Sequence, residues 1–249
     1  MIKKSLILLI ILLLSVIIIV QFPELFIGKK IEYGSFIIYS NDEINFNEDV
    51  KNILDSVQMN LKESQFYQEG LELELYFVKG TLYERLIGLF GMKNIASSKF
   101  NKHIYIGIPN FKENILKKGK SDFEWLNLVQ IISHEGVHSQ MYKDHSILGF
   151  MKTPSWINEG YSEYVSYRRV RNDMNYELSK LFQEYESTSD FWVETEFKSM
   201  TPRIYLRDRI IVEYLIDEKG LDILGIINDN TLEPDKLLEE IELYFKDNK

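Results

Sequence analysis

The chain has 249 residues, no cysteine and a formal net charge of -9. Without cysteine there are no disulfides and no thiolate metal sites, so any metal must be held by histidines and carboxylates. The acidic balance also excludes the basic surface that nucleic-acid binding requires.

The opening stretch MIKKSLILLIILLLSVIIIVQF carries no charge over residues 5–20. Extended through Phe22 it is just long enough to cross a hydrocarbon core, which takes about 17–25 residues. Lys3 and Lys4 precede it, and the positive-inside rule places that end in the cytoplasm. A cleaved signal peptide is the competing reading, but VIIIVQFPEL offers only bulky residues where a small-x-small cleavage site would stand. Residues 1–22 are therefore expected to be a retained, single-pass signal anchor in the cell membrane, with the rest of the chain extracytoplasmic.

Residues 23–34 read as a linker and residues 35–249 as one folded domain. GSFIIYSND (34–42) predicts a strand, and residues 47–64 an amphipathic helix with Val50, Ile53, Leu54, Val57 and Leu61 at helical spacing. LELELYFV (71–78) alternates as a half-buried strand does. TLYERLIGLFG (81–91) reads as a short helix closed by Gly91. KHIYIGIPNF (102–111) reads as a strand, either an edge on which an extended peptide aligns or an internal one, with His103 at the surface. Ser121-Asp122-Phe123-Glu124 has the capping-box pattern and opens a helix through Trp125, Leu128, Val129 and Ile132. Thr153-Pro154 reads as an N-cap followed by proline at the first helical position, and helices follow over 155–170, 176–187, 202–219, 221–228 and 234–247. Strands gather in the first half and helices in the second, which predicts an α+β fold.

The chemistry concentrates in ISHEGVHSQ (131–139). His134 and His138 stand at i and i+4, so both imidazoles share one helix face and can reach one Zn²⁺. Glu135 points to the side of that face, placed to accept a proton from an activated water. Two carboxylates compete as third ligand. Asp144 follows His134 by ten residues, but Met141 stands where a chain-reversing glycine would be needed, so a straight helix carries Asp144 away. Glu159, in WINEGYSEY, lies 21 residues after His138; a reversing loop bracketed by Gly149 and Thr153-Pro154 can bring it back. Glu163, one turn further on, is placed to take the spare nitrogen of a ligand histidine, His134.

HEGVH followed by PSWINEGYSEY resembles the gluzincin branch of the zinc metallopeptidases, and within it the small bacterial proteins called peptidase MA-like, over roughly residues 100–220. The resemblance implies a zincin-like catalytic domain, in which a small mixed sheet is followed by a mainly helical part. By position it makes His134, His138 and Glu159 zinc ligands, Glu135 the general base and Glu163 the partner behind a ligand. It further implies a tyrosine or histidine as oxyanion donor. No histidine follows His145, and RIYLRDRIIVEYLIDEKG resembles the segment that carries this tyrosine, which puts Tyr205 there; the Lys-Gly that follows in the family is Arg207-Asp208 here. Tyr142 and Tyr161 are the other candidates, with Arg203 and Arg207 as candidate substrate contacts. The aminopeptidase G-x-M-E-N motif is absent, which favours an endopeptidase acting on a peptide or protein substrate. The alternatives are a non-catalytic, zinc-containing surface interaction domain and a hydrolase of non-peptide amides or cell-wall cross-links. The sequence leaves the oligomeric state open.

Overall fold

The structure, a computed structural model, describes residues 22–41, 44, 46–78, 81, 83–85, 96–99, 102–107, 109–117, 125–174, 176–195 and 199–247. The expected membrane anchor and the capping box at 121–124 lie outside these, as does most of the expected helix at 81–91, of which residues 83–85 are helical. Among the described residues no helix is long and apolar enough to cross a membrane.

The architecture is mixed α/β, mostly helical, with a small mixed sheet. That sheet has five strands in the order β1-β2-β3-β5-β4: β1 (Lys29–Tyr33), β2 (Phe36–Ser40), β3 (Leu73–Phe77), β4 (Ala96–Lys99) and β5 (His103–Ile106). The pairs β2–β3 and β3–β5 are parallel, while β1 and β4 run antiparallel to their neighbours at the two edges. The 23–34 stretch is thus not a linker. Residues Pro23–Leu25 form a short 3-10 helix, and β1 is an edge strand joined to β2 by a two-residue turn in which Gly34 takes φ +57°, a conformation that hairpin turns demand and glycine supplies. Nor does the 102–111 strand lie at an edge: β5 is flanked on both sides, and the edge is β4.

Alternation divides the sheet's faces. Phe36, Ile38, Leu73, Leu75, Phe77, Ile104 and Ile106 join the main core. Helix α1 (Glu48–Lys62) covers them with Val50, Ile53, Leu54, Val57 and Leu61, each buried aliphatic side chain contributing about 1.5–3 kcal/mol. The opposite face is not solvated. Tyr76 and Tyr105 are buried there beneath Ile27 and Tyr83, with Phe26 and Tyr39 packed alongside, so β3 is covered on both sides where alternation predicted one.

Burial extends to His103, expected at the surface. It pairs in register with Glu74 on β3, and its Nε2 stands 3.1 Å from the Glu74 carboxylate, which also bonds Lys102 and the Tyr76 hydroxyl.

The second half of the chain begins with a small sheet of β6 (Pro109–Asn110), β7 (Ile115–Lys117) and β8 (Trp125–Asn127), so the helix expected from 121 starts only at Leu128. Then come α2 (Leu128–Lys152), α3 (Ser155–Met174) and α4 (Leu178–Ser187), a hairpin of β9 (Trp192–Glu194) and β10 (Met200–Pro202), α5 (Arg203–Glu213) running into a π-helical turn (Tyr214–Glu218), α6 (Ile223–Asn228) and α7 (Pro234–Asp247). The helix positions follow the sequence closely. The β9–β10 hairpin has too few residues per strand to show a period.

Burial pushes the Glu74 carboxyl up, but bonds from His103, Lys102 and Tyr76 outweigh it and bring its pKa to about 2. A lowered folded pKa contributes stability above the ordinary value near 4.5 and loses it as the pH falls towards about 2. Urea unfolding across that window is expected to show a loss of order 2–3 kcal/mol in the parent chain and a flatter profile in Glu74→Gln.

Candidate metal centre

Helix α2 starts where its orphan N–H groups find partners. Asn127 caps it by accepting from Gln130 N at 3.1 Å. Asn114, held at φ +54°, accepts from Leu128 N through its carbonyl and from Val129 N through Oδ1. Asparagine tolerates that left-handed backbone and caps well, two properties used here together.

Helix α2 runs through Gly149 to Lys152, so the reversal lies wholly in Thr153-Pro154. Thr153 is the C-cap of α2 rather than the N-cap of α3, because proline drives the residue before it out of the helical region. The Pro154 carbonyl then accepts from Ile157 N and Asn158 N to open α3. Asn60 on α1 ties the pair from beneath, its Nδ2 donating to Ser133 Oγ on α2 and to the Ser166 carbonyl on α3, each at 3.1 Å.

This crossing brings His134, His138 and Glu159 together, and the three offer ligand atoms close enough to hold a metal ion. The Nε2 atoms of the two histidines are 3.1 Å apart, and Glu159 Oε2 lies 3.2 Å from the first and 3.6 Å from the second. Donors about 2.0–2.1 Å from a tetrahedral ion stand about 3.3–3.4 Å from one another, so two imidazoles and a carboxylate form a triangle of the required size.

Both spare Nδ1 atoms are attended. His134 Nδ1 lies 3.2 Å from Glu163 Oε1, an ion-pair contact bent away from an in-line hydrogen bond. His138 Nδ1 lies 3.2 Å from Ser162 Oγ, and both residues are buried. If Nε2 faced a metal, Nδ1 would carry the proton and donate a hydrogen bond to Ser162 Oγ.

The electrostatics favour a cation. Burial works against a charged His134, but its contacts with the Glu159 and Glu163 carboxylates hold its pKa well above the ordinary imidazole value. Burial likewise raises Glu159, and bonds to His134 and His138 overcome it to keep the carboxylate ionised.

Tyr205, in the first turn of α5, stacks on the His134 ring with centroids 5.9 Å apart and planes 16° off parallel. Burial raises its pKa, helped by the charges of Glu159, Glu135 and Glu163. The phenol therefore keeps its proton, and it hydrogen-bonds the Glu159 carboxylate. Glu135 is half-buried beside them.

Gly160 makes this approach possible, since a Cβ there would lie 2.4 Å from the Asp208 carbonyl oxygen of α5.

The remaining candidates stand elsewhere. Asp144 is exposed beside His145 at 3.0 Å and is not among the grouped ligands. Tyr161 is buried, its hydroxyl accepting from Gln65 N, and Tyr142 stacks on Phe150. Arg203 lies over the Tyr185 ring and donates to the Thr188 and Tyr185 carbonyls, while Arg207 holds Asp208. Ser162, Asn60 and Asn114 were not anticipated. Ser162 had a signal, since it lies three residues after Glu159 on the same helix; the asparagines had none.

No protein-family model matches this chain, and comparison with curated proteins and with solved structures returns no match.

If the group holds a metal ion, replacing Ser162 by Ala is expected to weaken its binding about 10–100-fold with little change in the melting temperature of the metal-free protein, as a chelator-competition titration would record. Gly160→Ala should force α3 and α5 apart, costing about 1–3 kcal/mol and loosening the metal as well; an unchanged melting temperature would contradict the contact.

Proposed function

We propose that this chain is a zinc-dependent endopeptidase of the gluzincin, peptidase MA-like type, with a zincin-like catalytic domain held at the outer face of the cell membrane by residues 1–22. The observation that carries the reading is the near-equilateral donor triangle of His134, His138 and Glu159, with a polar partner behind each histidine. Two imidazoles and one carboxylate suit zinc, and three protein ligands leave the fourth position that a catalytic site keeps open.

Zinc bound there would supply Lewis acidity, polarising the scissile carbonyl and activating a water. Glu135 takes the proton released by that water and passes it to the leaving amine. Tyr205, protonated and stacked on His134, donates a hydrogen bond to the oxyanion as the carbonyl carbon becomes tetrahedral. Glu163 and Ser162 hold the histidines in the tautomer that presents Nε2. Among the described residues β4 ends the strand order, and an extended substrate would pair there by β-augmentation.

The intact base distinguishes this from a purely interacting domain, which has no use for Glu135. The purified domain should carry about one zinc per chain and cleave members of a broad peptide library. Glu135→Gln should keep the metal and lose turnover about 10²–10⁴-fold; Tyr205→Phe should keep the metal and slow turnover about 10²–10³-fold. A wild-type domain that binds no zinc sinks the proposal. One that binds zinc and cleaves no peptide supports the interaction-domain alternative.

A further inference from the structure

The chain enters its fold with no slack. Pro23 is already buried, Ile27 is 2% exposed within the tyrosine cluster, and Gly28 N donates to Asn41 Oδ1 at 3.1 Å immediately before β1. The uncharged run of residues 5–20 therefore ends three residues before the first buried one, and three Cα steps reach no more than about 11 Å.

At that junction two large apolar side chains stand in water: Phe22 is 49% and Leu25 67% exposed. Single exposed apolar residues are ordinary, but these flank a run whose composition suits hydrocarbon. An aromatic ring just outside such a run is characteristic of the membrane interface.

We infer that the Phe22 and Leu25 side chains seat in the headgroup layer of the bilayer, so that the metal centre acts on polypeptide held near that surface. The seating rests on the anchor reading alone, and the substrate class on the peptidase reading as well. A folded domain of about 225 residues has a diameter near 45 Å, so with its short tether the centre stays within about 55 Å of the bilayer.

The test uses the full chain reconstituted in phosphatidylcholine–phosphatidylglycerol vesicles that carry a lipid-attached nitroxide. The absence of cysteine makes a single fluorophore at Leu25→Cys unambiguous, with Leu243→Cys, 60% exposed on α7, as the control on another element. Quenching about threefold stronger at position 25 is expected if that side chain lies at interfacial depth. Equal quenching in a chain that resists an alkaline wash overturns the seating. A chain that washes off, or whose N-terminus is found near residue 22, overturns the anchor and the seating together, while zinc binding and peptide turnover on the same sample report separately on the peptidase reading.

For the substrate class, a vesicle-held reporter cleavable about 20 Å from the bilayer should be cut about tenfold faster than one cleavable about 100 Å away, and about 20 Gly/Ser residues inserted between Gln21 and Phe22 should close that gap. Equal rates without the insertion overturn it, with a soluble peptide as the internal standard for activity.

Discussion

Helices α2 and α3 meet across a reversal of only two residues, Thr153 and Pro154, and that reversal sets where His134, His138, Glu159, Ser162 and Glu163 stand. With so little chain between them, the helices have few ways to cross, and Asn60 selects one by bonding to both from α1. An asparagine buried in an apolar helix face costs free energy unless its amide is satisfied. Here two donor bonds meet that cost, and they are available only when the ligand helices are in place. The polar tie thus specifies geometry more than it adds stability.

The electrostatic side follows from the same crossing. Glu159 and Glu163 are brought beside His134 in a region where an unpaired charge would cost several kcal/mol. In the metal-free protein the imidazole answers them by holding its proton. A divalent cation answers the same demand more completely, because it can satisfy Glu159 and both Nε2 atoms at once. The site is thus assembled before any ion arrives, and little ordering remains to be done on binding.

What the sequence made legible was local. His134 with His138, and Glu159 with Glu163, repeat at one helical turn, so each pair could be placed on a face without knowing the fold. The amphipathic pattern of α1 and the C-terminal helices was legible for the same reason. Contacts distant in sequence were not. Asn60 is 73 residues from Ser133 and 106 from Ser166, and nothing near it marks the partnership. His103 looked superficial because polar residues on a strand normally face water; its partner Glu74 comes from register with β3. The stretch 23–34 looked like a linker because KKIEY is polar, yet an edge strand needs only one neighbour and can keep its charges outside.

Gly160 carries no chemistry, yet it joins the element that bears Glu159 to the one that bears Tyr205. Since its α-carbon lies against the Asp208 backbone, one backbone contact positions both Glu159 on α3 and Tyr205 on α5. A mutational scan would accordingly score this glycine among the most sensitive positions, and a reader of the scan alone would mistake a spacer for a reactive group. The same contact bears on redesign: a change at the start of α5 also shifts Glu159 of the candidate metal-binding group, so the two cannot be altered independently.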